Sequence, residues 1–196
     1  MTLTRLLIPG LSVLAIAACA TEGHGDDVAQ AGDAGDPGPP AAVSTIGPPR
    51  LAADLRDVQG RVRARATAET SGDSLRVRVE AVGMTPGSYG AHLHTTGRCD
   101  SPDFTSAGPH WNPTGQKHGK DNPAGMHKGD LPNLLVGTDG RGSFEYTIPN
   151  AGLSGMLPTS LIDGDGASVV VHAKADDFRT DPSGNSGARI ACGVLG

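Results

Sequence analysis

The segment from Thr95 to Pro132 most constrains the fold, because it is long, lacks a hydrophobic period and is rich in glycine, proline, asparagine and histidine. A loop of this kind is unusual inside a compact domain unless a metal ion or a disulfide holds it. Before this segment the sequence alternates: Val62, Ala64 and Ala66 interleave with arginines, and a second alternating run starts at Leu75. Alternation predicts strands with one buried face. We therefore expect an all-β domain with one long, restrained loop.

Composition supports this fold class. The chain has 29 glycines and 15 prolines in 196 residues but only 3% aromatic residues, which favours many turns between short strands. Further strand signals lie at 134–136, 143–148, 168–172 and 189–194. The arginines of the first two strands suggest either an anion-binding surface or a solvated sheet face, and neutralisation by Glu69 and Glu80 favours the solvated face.

The first 50 residues carry a different signal. Arg5 precedes an apolar stretch, Leu6 to Ala18, that is too short to span a bilayer and ends in small residues before Cys19. We expect residues 1–18 to be a signal peptide and Cys19 to be acylated, as in bacterial lipoproteins, so that the lipid anchors the protein to a membrane. Plain cleavage after a small residue, or a buried helix, is the alternative. The protein would then be exported, to the periplasm or the cell surface.

Residues 19–50 predict a disordered tether, and residues 51–196 predict the folded domain. The tether holds much of the formal net charge of −5, since residues 20–49 contain acidic residues but no lysine or arginine. The remaining domain is nearly neutral, which argues against a nucleic-acid partner. Cys99 and Cys192 remain as an even pair in an exported domain, so a disulfide is the default expectation and two buried free thiols are the alternative.

The histidines indicate a metal centre. Six of the seven lie in the predicted domain: His92, His94, His110, His118, His127 and His172. His92 and His94 are two apart on a predicted strand, so they share a face and can bind one ion. Three loop histidines and Asp130 make a full tetrahedral set, as in a closed zinc site. Imidazole-rich sites with an open position suit copper. A lone histidine is usually an ordinary surface or core residue, but six close together are not.

From about Ala53 to Gly196 the chain closely resembles copper/zinc superoxide dismutases. The shared stretches are GAHLH at 90–94, GPHWNP at 108–113, GDL at 129–131, VVHAKADD at 170–177 and GNSGARIACGV at 184–194. The resemblance implies an eight-stranded Greek-key β-sandwich or barrel with long metal-binding and electrostatic loops. It also implies a Cys99–Cys192 disulfide.

The same resemblance implies roles for individual residues. The copper ligands would be His92, His94, His110 and His172, and the zinc ligands would be His110, His118, His127 and Asp130, so His110 would bridge the two metals. Asp176 would accept hydrogen bonds from His92 and His118. Arg189 would position the superoxide anion beside copper.

The expected activity is superoxide dismutation by copper that alternates between two oxidation states. The family's eukaryotic members carry charged residues before this arginine, whereas residues 181–184 here form a short segment without lysine. We therefore expect lysines elsewhere to attract the anion, with a role in solubility alone as the alternative, and the candidates are Lys117, Lys120, Lys128 and Lys174. The main alternative is an exported copper-binding or copper-carrying lipoprotein without turnover, and a purely structural zinc domain is a third possibility. A homodimer is compatible with the sequence, which names no interface.

Overall fold

The computed structural model describes residues 48–155 and 157–196. The predicted signal peptide, Cys19 and the tether up to residue 47 lie outside the described residues. The first strand begins at Arg50, one residue before the predicted start of the domain. Within the described part of the chain, no helix is long and apolar enough to cross a membrane.

The described residues form strands and a single short helical turn. The strands are β1 (Arg50–Arg56), β2 (Val62–Ser71), β3 (Ser74–Val82), β4 (Gly87–Tyr89), β5 (Ala91–His94), β6 (Leu134–Val136), β7 (Arg141–Pro149), β8 (Ser168–His172) and β9 (Arg189–Val194). Seven of them make one antiparallel sheet in the order β5-β8-β9-β1-β2-β3-β7, and β4 pairs with β6. The helical turn is a 3-10 turn at Thr105–Ala107.

Alternation of side chains produces the core. Along β2 and β3 every second residue is buried, and Ala66 lies opposite Val79 in the register between the two strands. These inward residues join one apolar cluster with Leu55 of β1 and Leu93 of β5. The alternation therefore predicted β2 and β3 correctly, whereas β1 was not identified as a strand from the sequence.

The sheet order agrees with a Greek-key barrel. Strands β4 and β5 are separated only by Gly90, so the nine described strands follow eight strand paths. The β4-β6 pair lies next to the edge strand β7, where the backbone N–H of Gly137 donates to the carbonyl of Arg141 at 2.8 Å. The predicted all-β fold is confirmed.

Ion pairs cover the outer face of the sheet. Arg76 lies 3.4 Å from Glu69, and Arg78 lies 2.7 Å from Glu80. Arg65 adds an ion pair of 3.3 Å with Asp54 on β1. Because acidic neighbours on the same or the adjacent strand neutralise these arginines, the surface agrees with the solvated face favoured by the sequence.

The long loop between β5 and β6 is held by the backbone and by a disulfide. The N–H of Leu93 in β5 donates to the carbonyl of Gly129 at 2.9 Å, and the carbonyl of Leu93 accepts a hydrogen bond from the N–H of Trp111 at 2.8 Å. Two parts of the loop therefore run beside the strand. Cys99 is bonded to Cys192 of β9, with 5.6 Å between the two Cα atoms. The predicted disulfide is confirmed, and it ties the start of the loop to the end of the chain.

Candidate metal centre

Three separate parts of the chain bring the predicted metal ligands together. His92 and His94 lie on β5, His172 ends β8, and the other ligands lie in the long loop. Every one of these side chains is buried. Since strand β5 is hydrogen-bonded to β8 and to the loop, the sheet itself fixes the distance between these segments.

The first group of ligands is the predicted copper set. One ring nitrogen from each of His92, His94, His110 and His172 lies within 4.8 Å of the others. The atoms His92 Nδ1, His94 Nε2, His110 Nε2 and His172 Nε2 are all buried and have no hydrogen-bond partner among the described residues. An unsatisfied buried polar atom costs about 1–3 kcal/mol, so four such atoms facing each other are best explained as donors to one ion.

The opposite ring nitrogens fix the tautomers of these histidines. His94 Nδ1 lies 2.9 Å from the carbonyl of Gly108, and His172 Nδ1 lies 3.1 Å from the carbonyl of Gly187. His92 Nε2 lies 2.7 Å from Asp176 Oδ2. Because a carbonyl or carboxylate only accepts, each of these nitrogens must donate its proton. The lone pair is then left on the nitrogen that faces the centre of the group.

The second group consists of one carboxylate oxygen and the three histidine nitrogens that lie close to it. Asp130 Oδ1 lies 3.1 Å from His110 Nδ1, 3.0 Å from His118 Nδ1 and 3.2 Å from His127 Nδ1. Ligand atoms about 3 Å apart are the spacing expected around an ion with bonds of about 2 Å, as zinc forms with nitrogen and oxygen. His92 also lies near this group, but its Nε2 is committed to Asp176. Both donor sets therefore fit the metals expected for them, and they share the ring of His110.

Asp176 connects the two groups. It is buried, with Oδ2 at 2.7 Å from His92 Nε2 and Oδ1 at 3.0 Å from His118 Nε2. Asn133 holds the backbone of Asp176 from both sides, since its amide oxygen accepts the Asp176 N–H at 2.8 Å and its amide nitrogen donates to the Asp176 carbonyl at 3.0 Å. At Gly184, with φ of +61°, a Cβ atom would lie only 1.9 Å from Asp176 Oδ1, so only glycine fits there.

Arg189 lies at the start of β9, opposite His172 in the β8-β9 register. Its Nη1 donates to the carbonyl of Phe104 at 2.7 Å, and its Nη2 donates to the carbonyl of Gly108 at 2.8 Å. Gly108 therefore accepts from both Arg189 and His94. Burial lowers the pKa of Arg189, which nearby Asp103 opposes, and a guanidinium stays charged at neutral pH.

The buried histidines make the metal-free protein sensitive to acid. Burial lowers the pKa of His92 to about 3, despite the hydrogen bond to Asp176, and lowers the pKa of His172 to about 4. The unfolded chain protonates its histidines at about pH 6.5. Between about pH 6.5 and 4 it therefore binds more protons than the folded chain, and the free energy of unfolding decreases as the pH decreases.

We expect urea denaturation of the metal-free protein to show this loss of stability between pH 7 and 4. Burial alone would lower the pKa of His118, but Asp130 and Asp176 raise it to about 9. His118 is thus protonated in the folded chain throughout this range, so it offsets part of the loss near pH 7 to 6 and adds nothing to the slope at lower pH, where the unfolded chain is protonated as well. A free energy of unfolding that does not change with pH in this window would contradict the prediction.

Several groups that orient the ligands were not predicted from the sequence. The carbonyls of Gly108 and Gly187 orient His94 and His172, and Asn133 orients Asp176. Backbone carbonyls leave no mark in a sequence. Asn133 follows the GDL stretch and could have been suspected only from its position near Asp130.

A groove gives solvent access to the loop ligands. It has a volume of about 570 Å³, and its walls include His110, His127, Trp111 and the facing pair Lys117 and Asp181. His110 itself is only 7% exposed. The ring of His110, which the two groups share, is thus nearly closed off from bulk water although it lines the groove.

Comparison with known proteins agrees with this arrangement. Residues 58–195 match the family model described as copper/zinc superoxide dismutase (SODC). The superoxide dismutase-like protein YojM of Bacillus subtilis is 44% identical over 128 residues, which are 65% of this chain and 65% of that protein, so the match spans just under two thirds of its length. A Cu-Zn superoxide dismutase of Deinococcus radiodurans is 38% identical over 167 residues, covering 79% of this chain and 88% of that protein.

Solved structures show the same fold. The crystal structure of a SOD-like protein from Bacillus subtilis aligns with a TM-score of 0.69 at 38% identity, over 74% of this chain and 97% of that chain. The clock protein EA4 aligns with a TM-score of 0.63 at 32% identity, over 76% of this chain and 94% of that chain.

Proposed function

Since the chain belongs to the copper/zinc superoxide dismutase family, we propose that it converts superoxide into dioxygen and hydrogen peroxide. Copper and zinc are the cofactors of this family. One observation carries the proposal: the ring of His110 presents Nε2 to one group of ligand atoms and Nδ1 to the other. A carrier of a single ion would not need two donor sets that share a ring.

The proposed ligands follow from the two groups. Copper would be held by His92, His94, His110 and His172, and zinc by His110, His118, His127 and Asp130. When bound, copper supplies one-electron redox chemistry, and zinc supplies a fixed positive charge. The protein itself contributes placement, charge and a proton.

Arg189 would bind the substrate. Two carbonyls fix its guanidinium next to His94, which leaves a permanent positive charge at the edge of the copper set. Superoxide is an anion, so a preoriented guanidinium binds it without reorganisation during the reaction. The guanidinium also favours the negative charge of the reduced product before a proton arrives.

His110 would hold and deliver a proton at Nε2. Burial lowers the pKa of His110 in the metal-free chain, although Asp130 opposes this, and Nε2 can carry a proton only while that nitrogen does not hold copper. In the overall reaction two superoxide ions and two protons give one dioxygen and one hydrogen peroxide. His110 would supply one proton and water the other.

The four lysines considered as attractors of the anion differ in the partners that they have in the structure. Lys117 forms an ion pair with Asp181, and Lys120 forms one with Asp121. Lys128 donates a hydrogen bond to the backbone carbonyl of Pro149. Lys174 is exposed, and among the described residues no ion pair involves it. Its side chain lies beside Gly187, about 3.5 Å from where a Cβ atom on that residue would be. We therefore favour Lys174 as the lysine that attracts superoxide.

The function is tested by superoxide dismutation with the purified protein after copper and zinc loading, compared with the same protein holding zinc alone. We expect fast turnover only with both metals, together with loss of copper in His172→Ala. Tight copper binding without turnover would instead favour the alternative, a copper-binding or copper-carrying protein without turnover.

We also propose that the protein is exported to the periplasm or cell surface and anchored by a lipid on Cys19. The apolar stretch before this cysteine supports the proposal. Mass spectrometry of the mature N-terminus tests it, and an N-terminus without an acyl chain would reject the anchor. Homodimer formation is a further proposal, to be tested by the mass of the protein in solution.

A further inference from the structure

His118 is held by two different carboxylates. Its ring Nε2 lies 3.0 Å from Asp176 Oδ1, as expected from the family resemblance. Its backbone N–H donates to Asp181 Oδ1 at 2.8 Å. The second oxygen of Asp181 lies 3.1 Å from Lys117 Nζ. Asp181 thus contacts both His118 and the residue before it, from a loop 63 residues further along the chain.

The loop that carries Asp181 is internally braced. Asp177 Oδ1 accepts the backbone N–H groups of Arg179 and Thr180 at 2.9 and 2.8 Å, and Asp177 Oδ2 accepts from the Thr180 hydroxyl at 2.7 Å. Gly184 also donates to the Thr180 carbonyl. Asp181 is therefore presented to His118 by a turn that is already held in place, and Asp177 is more than an ordinary loop acid.

The hydrogen bond acts on the residue whose ring completes the group around Asp130. His118 Nδ1 lies 3.0 Å from Asp130 Oδ1. To keep this orientation, both the backbone of His118 and the opposite ring nitrogen, Nε2, must be held in place. Asp176 fixes the ring, and Asp181 fixes the backbone amide.

We propose that Asp181 is a positioning residue of the zinc site, which acts through the backbone amide of His118. The inference rests on the proposed role of His118 as a zinc ligand. It assigns Asp181 no direct contact with the metal or the substrate. Groups that orient metal ligands typically contribute 10- to 100-fold to metal affinity.

The experiment measures zinc affinity of copper-loaded protein by competition with a chelator, in the parent and in three variants. Asp181→Ala removes the acceptor and is expected to weaken zinc binding about 10-fold. Asp181→Asn keeps an oxygen that accepts from His118 but loses the ion pair, and it should bind zinc nearly as the parent does. Lys117→Met removes only the ion pair and should also resemble the parent.

A matched control shows whether loss of any loop carboxylate has this effect. Asp139 Oδ1 accepts the N–H of Arg141 at 3.0 Å in the turn between β6 and β7, so Asp139→Ala loses the same kind of bond elsewhere. It should leave zinc affinity unchanged. Cobalt in the zinc site gives a second readout, since its visible absorption depends on ligand geometry and should change in Asp181→Ala but not in Asp181→Asn.

Three outcomes would overturn the proposal: unchanged zinc affinity in Asp181→Ala, equal loss in Asp181→Asn, or equal loss in Lys117→Met. The last two would assign the effect to charge and not to the hydrogen bond from His118. A parent that binds zinc but does not dismutate superoxide would reject the proposed function and leave this inference intact.

Discussion

Replacing Arg189 with alanine is expected to lower kcat/KM for superoxide about 100-fold, the usual effect of removing a fixed charge or donor from an active site. The guanidinium is held by the carbonyls of Phe104 and Gly108, of which Gly108 also orients His94. The variant thus loses the charge proposed to bind the anion, while the ring nitrogens of the ligand set are expected to stay in place. Pulse radiolysis or stopped-flow decay of superoxide at matched copper and zinc content measures the effect.

Arg189→Lys separates charge from geometry. Lysine keeps a positive charge but cannot donate to two carbonyls in a fixed plane, so we expect an activity between those of the parent and the alanine variant. Metal content must be measured in each variant, because loss of copper would imitate loss of substrate binding. Full activity in Arg189→Ala with both metals bound would show that this residue does not bind the substrate.

Replacing both bridged cysteines with serine, Cys99→Ser with Cys192→Ser, is expected to lower the free energy of unfolding by about 2–5 kcal/mol. The bridge joins residues that are 93 apart in sequence. Without the bond, the unfolded chain can adopt many more conformations, which favours the unfolded state. It also joins the loop that carries His110 to β9, the strand that carries Arg189. Urea denaturation of the metal-free parent and variant measures the difference.

Two controls identify the source of that difference. Chemical reduction of the metal-free parent should destabilise it to the same extent as the double variant. Metal-loaded samples should reveal whether the loop still forms, because metal binding stabilises only the folded chain. Equal stability of parent and double variant would mean that the cross-link contributes nothing to the fold.

Local sequence patterns were sufficient wherever one period or one spacing decides the outcome. Two-residue alternation correctly predicted strands β2 and β3, because it reports directly which side chains face the core. By the same rule His92 and His94 were expected to share a face, and the structure brings one ring nitrogen of each into a group that could hold an ion. Strand β1 was missed, although Leu51, Ala53 and Leu55 also alternate, because a short run containing alanine and flanked by arginines gives a weak signal.

By itself the sequence determined the all-β fold and the candidate ligands, since strand period and donor chemistry are properties of the residues. Tertiary structure decided which nitrogen of each ring is free and which lysines are already paired. It also placed Gly108 between His94 and Arg189, and Asp181 beside His118. These outcomes depend on hydrogen-bond geometry between segments that are far apart in the chain, and no local pattern encodes the distance or direction at which such segments meet.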